Sequence, residues 1–223
     1  MRLFHFDYST YSRKVRKCLE LKGLACELVL VPYLDRRIIA DLANGYVMVP
    51  VLEDGGRVIT DSPAITAYLD ERYAPSLRPG ALEGPAVIYE QWADTLFEDV
   101  AFRIATPGAM DRLVAANGGR SDVAGMYRFS KERKFGSGCI EAWRDGEREL
   151  GDKLRALSKP LAGSLERQPF LLGPQATLAD AAVWGPLSSI EDLRPGWIRA
   201  KLPALAAWYE RVASAGVESV APS

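Results

Sequence analysis

The chain's first chemistry-bearing groups are hydroxyls. Ser9-Thr10-Tyr11-Ser12 has the spacing of a Cys-x-x-Cys redox pair with oxygen in both sulfur positions. Dithiol exchange, which needs a thiolate, is therefore excluded there. Tyr8 and Tyr11 lie beside Ser9 and offer phenols as rival donors. Further along, Asp61-Ser62 stands directly before an apolar helical pattern. A carboxylate there can accept from an ammonium, while the hydroxyl and the free N–H groups of a helix start can hold a carboxylate. Simple capping of the helix by the same two residues is the competing account. Cys18, Cys26 and Cys139 are odd in number and lack metal-ligand spacing, and one histidine, His5, cannot complete a zinc site with them. No metal is expected. A Ser-His-Asp or Cys-His relay would have to run through His5, which sits in a strand pattern and reads as a partly buried side chain.

The elements that must carry these groups follow from periodicity. Residues 2–6 read as a strand, and 12–22 as a helix with Val15, Cys18 and Leu19 on one face, stopped by Gly23. Residues 26–31 are nearly all apolar, as in a strand covered on both faces. Residues 36–43 suggest a short helix ending at Asn44-Gly45. Residues 49–52 and 57–59 flank Asp54-Gly55-Gly56, a hairpin signature. Ser62-Pro63 then opens a helix with Ile65, Tyr68 and Leu69 at helical spacing. The order βαβαββα implies a parallel strand pair joined by a right-handed crossover, with the hairpin adding an antiparallel edge. Val49-Pro50, taken alone, reads as a trans proline at an edge strand.

Residues 74–85 hold three prolines and two glycines, and beyond them the strand signal stops. The expected division is residues 1–75, a linker at 76–85 and an all-α part over 86–223. Its first helix starts at Pro85, repeats Ile88, Trp92, Leu96, Val100 and Ile104 beside Tyr89, Ala93, Phe97 and Ala101, and ends at Pro107. Helices over 110–117, 122–132 and 139–158 follow, the last stopping before Pro160. Thr177-Leu178-Ala179-Asp180 has the form of a capping box, and a last helix runs from Pro203 with Leu205, Trp208, Tyr209 and Val212 on one face.

Composition narrows the function classes. The 223 residues are 48% hydrophobic and 26% charged, with 28 Lys+Arg against 29 Asp+Glu. That is globular composition without the basic surplus of a nucleic-acid binder. The longest apolar stretch, 202–209, is far short of the ~20 residues that cross a bilayer. His5 and Asp7 interrupt the apolar start, leaving no run of leader length. A soluble cytoplasmic protein is expected, with no membrane or nucleic-acid partner.

Taken together, these pieces resemble one family. Ser9-Thr10-Tyr11-Ser12-Arg13-Lys14-Val15 resembles the Ser-Pro-Phe-Ser-Arg-Lys-Val opening of serine-type glutathione transferases. Val49-Pro50-Val51-Leu52 is similar to their strand entered through a cis-proline, Asp61-Ser62 to their acid-Ser pair, and 177–180 to the box that starts a buried C-terminal helix. The resemblance implies an α/β thioredoxin-like domain (βαβαββα) followed by an all-α helical domain. Glutathione would bind as co-substrate on the first, and a small electrophile between the two.

By the same resemblance, Ser9 would donate a hydrogen bond to the glutathione thiolate, with Ser12, Tyr8 or Tyr11 as rivals. The backbone at Val49 and Pro50 would pair with the tripeptide, and Asp61 and Ser62 would read its γ-glutamyl zwitterion. One departure stands out. Where the family commonly has a lysine before Val-Pro, this chain has Met48, leaving Arg36 or Arg37 to hold the glycine carboxylate. Tyr11, Tyr89, Trp92 and Phe97 are candidate walls of the electrophile site. The implied activity is a glutathione S-transferase (EC 2.5.1.18-like) of the detoxification type, as a homodimer. A non-catalytic binding or interaction module and a glutathione-dependent isomerase or lyase are the rival readings.

Overall fold

The computed structural model describes residues 1–216. The first part contains β1 (Arg2–His5), α1 (Thr10–Leu21), β2 (Glu27–Leu30), α2 (Arg37–Leu42), β3 (Val51–Asp54), β4 (Arg57–Thr60) and α3 (Ser62–Arg72). The sheet order is β2-β1-β3-β4. β1 runs parallel to β2 with Phe4 opposite Val29, and antiparallel to β3 with Phe4 opposite Val51. β3 and β4 close the antiparallel edge through Gly55 and Gly56, both at positive φ, as a tight hairpin requires.

α1 buries Val15, Cys18 and Leu19 against Leu3 and Leu52 of the sheet. β2 differs from its apolar reading. It pairs only with β1, Glu27 is exposed, and Leu30 is 58% exposed. An edge position, not coverage on both faces, is what this strand has.

The second part is helical: α4 (Glu83–Trp92), α5 (Glu98–Ala116), α6 (Ser121–Phe135), α7 (Cys139–Asp145), α8 (Glu147–Leu165), α9 (Leu178–Leu193), α10 (Trp197–Lys201) and α11 (Pro203–Ser214). A single 3-10 turn at Gly80–Leu82 leads into α4, which begins at Glu83 and not at Pro85. A π-helical turn over Ala93–Phe97 joins α4 to α5. The wider turn rotates the buried face, so the expected stripe does not stay on one side. Ile88 and Leu96 are 69% and 56% exposed, whereas Ala93, Phe97, Val100 and Ile104 are core.

Pro107 does not end its helix. It lies buried inside α5, which runs straight through the stretch read as a separate helix at 110–117. The lost bond costs about 3 kcal/mol and is offset by burying Val100, Ala101, Ile104, Ala105 and Ala109 along one continuous rod. The expected helix over 139–158 is two helices, divided at Gly146. A Cβ on Gly146 would come within 3.0 Å of the Ala142 carbonyl. α8 passes Pro160, with Leu154 and Leu161 buried on either side of it.

α9 is the central helix of this part. Its start is the expected capping box: the Asp180 carboxylate accepts from Thr177 N and Oγ1 at 2.9 and 3.0 Å. The same wholly buried carboxylate accepts from Leu171 N at 2.9 Å and from Trp208 Nε1 at 2.8 Å. α9 crosses α1 closely at Gly185, where a Cβ would meet Lys14 N and Thr10 O at 2.9 Å each. The helix that presents Ser9 is thereby seated on the helical part.

Among the described residues, no helix is long and apolar enough to cross a membrane, and no group of His, Cys, Asp and Glu could hold a metal ion.

Candidate functional site

β1 ends at His5, and the chain turns so that Ser9 N donates to Phe6 O at 3.1 Å and Ser9 becomes the N-cap of α1. Ser9 Oγ accepts from Ser12 N at 3.2 Å. A hydroxyl that accepts through a lone pair still has its proton to donate. Ser9 is half-buried and sits at the positive end of a twelve-residue helix. Capping the helix and donating to an anion are therefore compatible at this residue.

Its rivals are placed otherwise. The Ser12 side chain is buried at 2% exposure, and its Oγ has no hydrogen-bond partner. Tyr11 OH is committed to Glu98 Oε2 and the Asp94 carbonyl, both at 3.2 Å. Burial and then the negative charge of Glu98 keep that phenol protonated well above its ordinary range. Tyr8 stacks on Phe6 and meets Tyr127 edge-on. Its hydroxyl is buried with no hydrogen-bond partner, and burial raises its pKa too.

Asp61 and Ser62 stand at the start of α3. Asp61 has φ 71° and ψ 128°, and its side chain makes no capping bond. The left-handed backbone leaves its carboxylate free, exposed at the helix start, with Ser62 buried beside it. Asp61 raises the pKa of Tyr46, Tyr11 and Asp94, after burial as the first cause in each. Its charge is thus felt by Tyr46, by Tyr11 of α1 and by Asp94 of the π turn.

Val49-Pro50 is cis, with Pro50 buried and Val49 half-buried. Just before it, Met48 is 56% exposed. Arg36 reaches this loop: Nη1 donates to the Val47 carbonyl at 3.0 Å, Nε to Tyr33 O at 3.3 Å, and the guanidinium lies over Phe6 and Tyr33. Arg37 instead pairs with Asp35 in solvent, its side chain 84% exposed. Of the two arginines, Arg36 is the one bonded to the loop before Val49-Pro50.

Of the residues expected to form the electrophile wall, Phe97 is closed off, while Tyr11, Tyr89 and Trp92 are half-buried. Phe97 is fully buried in the helical core, and Tyr89 and Trp92 pack against that same core. Phe97 lies in the π turn itself, whereas Tyr89 and Trp92 precede it in α4. The aromatic group beside Ser9 is Phe6, Tyr8, Tyr33 and Tyr127, with Lys131 over the Tyr127 ring at 4.7 Å and the Phe102 ring at 5.3 Å. Burial, then Arg36 and Lys134, pull the Lys131 ammonium down to about 8.

Sequence reasoning also missed the carboxylates that hold α1. Glu90 and Asp94 bind the buried Lys14 ammonium at 3.0 and 2.5 Å, and Glu98 accepts from Thr10 Oγ1 at 2.7 Å. Burial raises Asp94 and Glu98, against the opposing bonds from Lys14 and from Thr10 and Tyr11. The signal was present, as three acids four residues apart and a basic α1. Nothing in the one-dimensional pattern said that the two faced each other.

Comparison with known proteins agrees with this geometry. Residues 3–77 match the family model "Glutathione S-transferase, N-terminal domain" and 140–211 match "Glutathione S-transferase, C-terminal domain". Maleylpyruvate isomerase of a Ralstonia species is 34% identical over 88 residues, 38% of this chain and 42% of that protein. Glutathione S-transferase Z1 of Arabidopsis thaliana is 39% identical over 94 residues, 40% of this chain and 42% of that protein. The matched stretches thus span less than half of either relative. A glutathione S-transferase of Ceriporiopsis subvermispora, solved in complex with glutathione, shares the fold at a TM-score of 0.76 and 23% identity, covering 97% of each chain. With both domain models matched in order over more than half of its length, the chain belongs to the glutathione S-transferase family.

Proposed function

We propose that the protein is a cytoplasmic glutathione-dependent transferase, which lowers the pKa of the glutathione thiol and adds the sulfur to a small electrophile. The observation that carries this reading is the Ser9 hydroxyl: it accepts from Ser12 N, which leaves its own proton to be donated at the positive end of α1. Serine is too weak a base to take the thiol proton, which leaves to solvent. Its part is a hydrogen bond to the thiolate, worth about 1.5–3 kcal/mol, or roughly one to two units of thiol pKa. The thiolate then forms the S–C bond, and the electron pair moves onto the acceptor or departs with its leaving group.

Asp61 would accept from the γ-glutamyl ammonium, and Ser62 with the α3 N–H groups would bind its carboxylate. The exposed backbone at Val49 would pair with the cysteinyl residue. Arg36 would take the glycine carboxylate in place of the missing lysine. The electrophile would lie against Tyr8 and Lys131, which the buried Tyr127 ring backs. A homodimer fits the exposed Val87, Ile88 and Leu96 on α4 and the following turn.

The similarity to maleylpyruvate isomerase favours one second reading, in which the same thiolate adds to a double bond and later leaves. Retention on immobilised glutathione, followed by turnover of a panel of electrophiles including cis-alkenes, tests both. Conjugates that accumulate support the transferase, and isomerised alkenes with glutathione regenerated support the isomerase. A chain that is not retained is neither, and would be a binding module built on this fold.

A further inference from the structure

The buried ammonium groups of Lys14, Lys17 and Lys22 are all paired, with Glu90 and Asp94, with Glu20 and with Asp70. That is the ordinary condition of a charge taken out of water. Lys131 on α6 departs from it. The residue is half-buried, and among the described residues its Nζ has neither a carboxylate nor a hydrogen-bond acceptor. Its contacts are ring faces, Tyr127 at 4.7 Å and Phe102 at 5.3 Å, which attract a cation without neutralising it. The carboxylates that could serve it are taken. Glu98 accepts from Thr10 Oγ1 and Tyr11 OH, and Glu132, next in sequence, accepts from Gly138 N and Arg128. Burial first, then Arg36 and Lys134, bring the ammonium down to about 8, against the smaller pull of Glu98 and Cys139. At pH 7 it still carries its proton.

The Tyr127 ring joins Lys131 to the aromatic group beside Ser9. It meets Tyr8 edge-on at 6.1 Å and Tyr33 at 5.5 Å, and Tyr8 directly precedes Ser9. A cation without a counter-ion thus stands on the ring cluster next to the residue that would hold the thiolate. What it lacks is an anion, and the added positive charge of Arg36 and Lys134 favours one there. We infer that Lys131 sets the acceptor class, and that the electrophile is itself an organic acid. Its carboxylate would pair with the Lys131 ammonium, its ring or double bond would lie against Tyr8, and the reacting carbon would face the glutathione sulfur at Ser9. The inference rests on the transferase reading and narrows its substrate. An uncharged apolar acceptor would strip the ammonium of more water and return no counter-ion, so the same side chain selects against it.

Two stable conjugates test this without turnover, S-(4-carboxybenzyl)glutathione and S-(4-carbamoylbenzyl)glutathione, which differ in charge and hardly in shape. Calorimetry at pH 7 on the full chain should show the carboxylate conjugate bound about tenfold or more tighter than the amide, as one bond between charged groups gives. Lys131→Met should weaken the carboxylate conjugate about tenfold more than the amide, and so erase the preference. With glutathione itself still bound, equal binding of the two conjugates, tighter binding of the amide, or a preference that survives in Lys131→Met would each overturn the assignment to Lys131 and leave the transferase reading standing. A chain that binds neither glutathione nor either conjugate would overturn that reading and this inference together.

Discussion

At the scale of single residues, the distinction that matters is which hydroxyl still has a proton to give toward the cleft. Ser9 accepts from the helix backbone, Tyr11 donates to Glu98, and the Ser12 hydroxyl is buried. Ser9 and Asp61 were legible because the groups that define them lie within a few residues in sequence. Lys14 and Glu98 were not, since their partners lie 76 to 88 positions away. Two predictions belong here. Asp61→Asn keeps a residue that tolerates φ 71° and removes only the charge. Glutathione affinity by calorimetry should fall about tenfold or more with the melting temperature nearly unchanged, and an unchanged affinity would take Asp61 out of the site. Lys131 has a folded-state pKa near 8, below its ordinary 10.5. A base depressed in this way destabilises the fold below that pKa, where it is charged in both states, and the cost fades as pH rises toward the unfolded value. Lys131→Met should therefore stabilise the protein at pH 7 by about 1–3 kcal/mol, with the gain shrinking between pH 8 and 10.5. A gain independent of pH in thermal melts would contradict that origin.

At the scale of elements, strands, caps and the hairpin were readable from local pattern, while the π turn and the helix-internal prolines were not. Pro107 and Pro160 carry a local stop signal that burial on both sides of them overrides. The π turn leaves no trace in residue type, yet it decides that Phe97 is core and Leu96 is surface. Asp180 collects four donors at the start of α9. Asp180→Ala should cost about 3 kcal/mol or more by denaturant titration, with glutathione affinity unaltered in the folded fraction. A loss below about 1 kcal/mol would mean that the box is only a surface cap. Gly185→Ala places a methyl 2.9 Å from the backbone of α1, so α1 must shift. The expected result is a loss of about 1–3 kcal/mol together with weaker glutathione binding, because the shift moves Ser9. Stability lost without any change in binding would show that the α1–α9 seat does not position the site.

At the scale of the whole molecule, the α/β part and the helical part are joined through α1. Lys14 is buried against Glu90 and Asp94, Thr10 and Tyr11 bond Glu98, and Arg13 bonds Asp192. Buried ion pairs add little net stability but fix geometry, since any other docking leaves charges unpaired. The division into two kinds of structure was visible in the loss of strand pattern after residue 73, but the charged seam between them was not. That seam seats α1, whose N-cap is Ser9, and the central claim rests on the Ser9 hydroxyl. The direct measurement is the ultraviolet absorbance of the bound glutathione thiolate as a function of pH, in the wild-type chain and in Ser9→Ala. The account predicts that glutathione stays bound in the variant while its thiol pKa rises by about one to two units and the activity profile moves alkaline with it. An unchanged titration in Ser9→Ala would contradict the account.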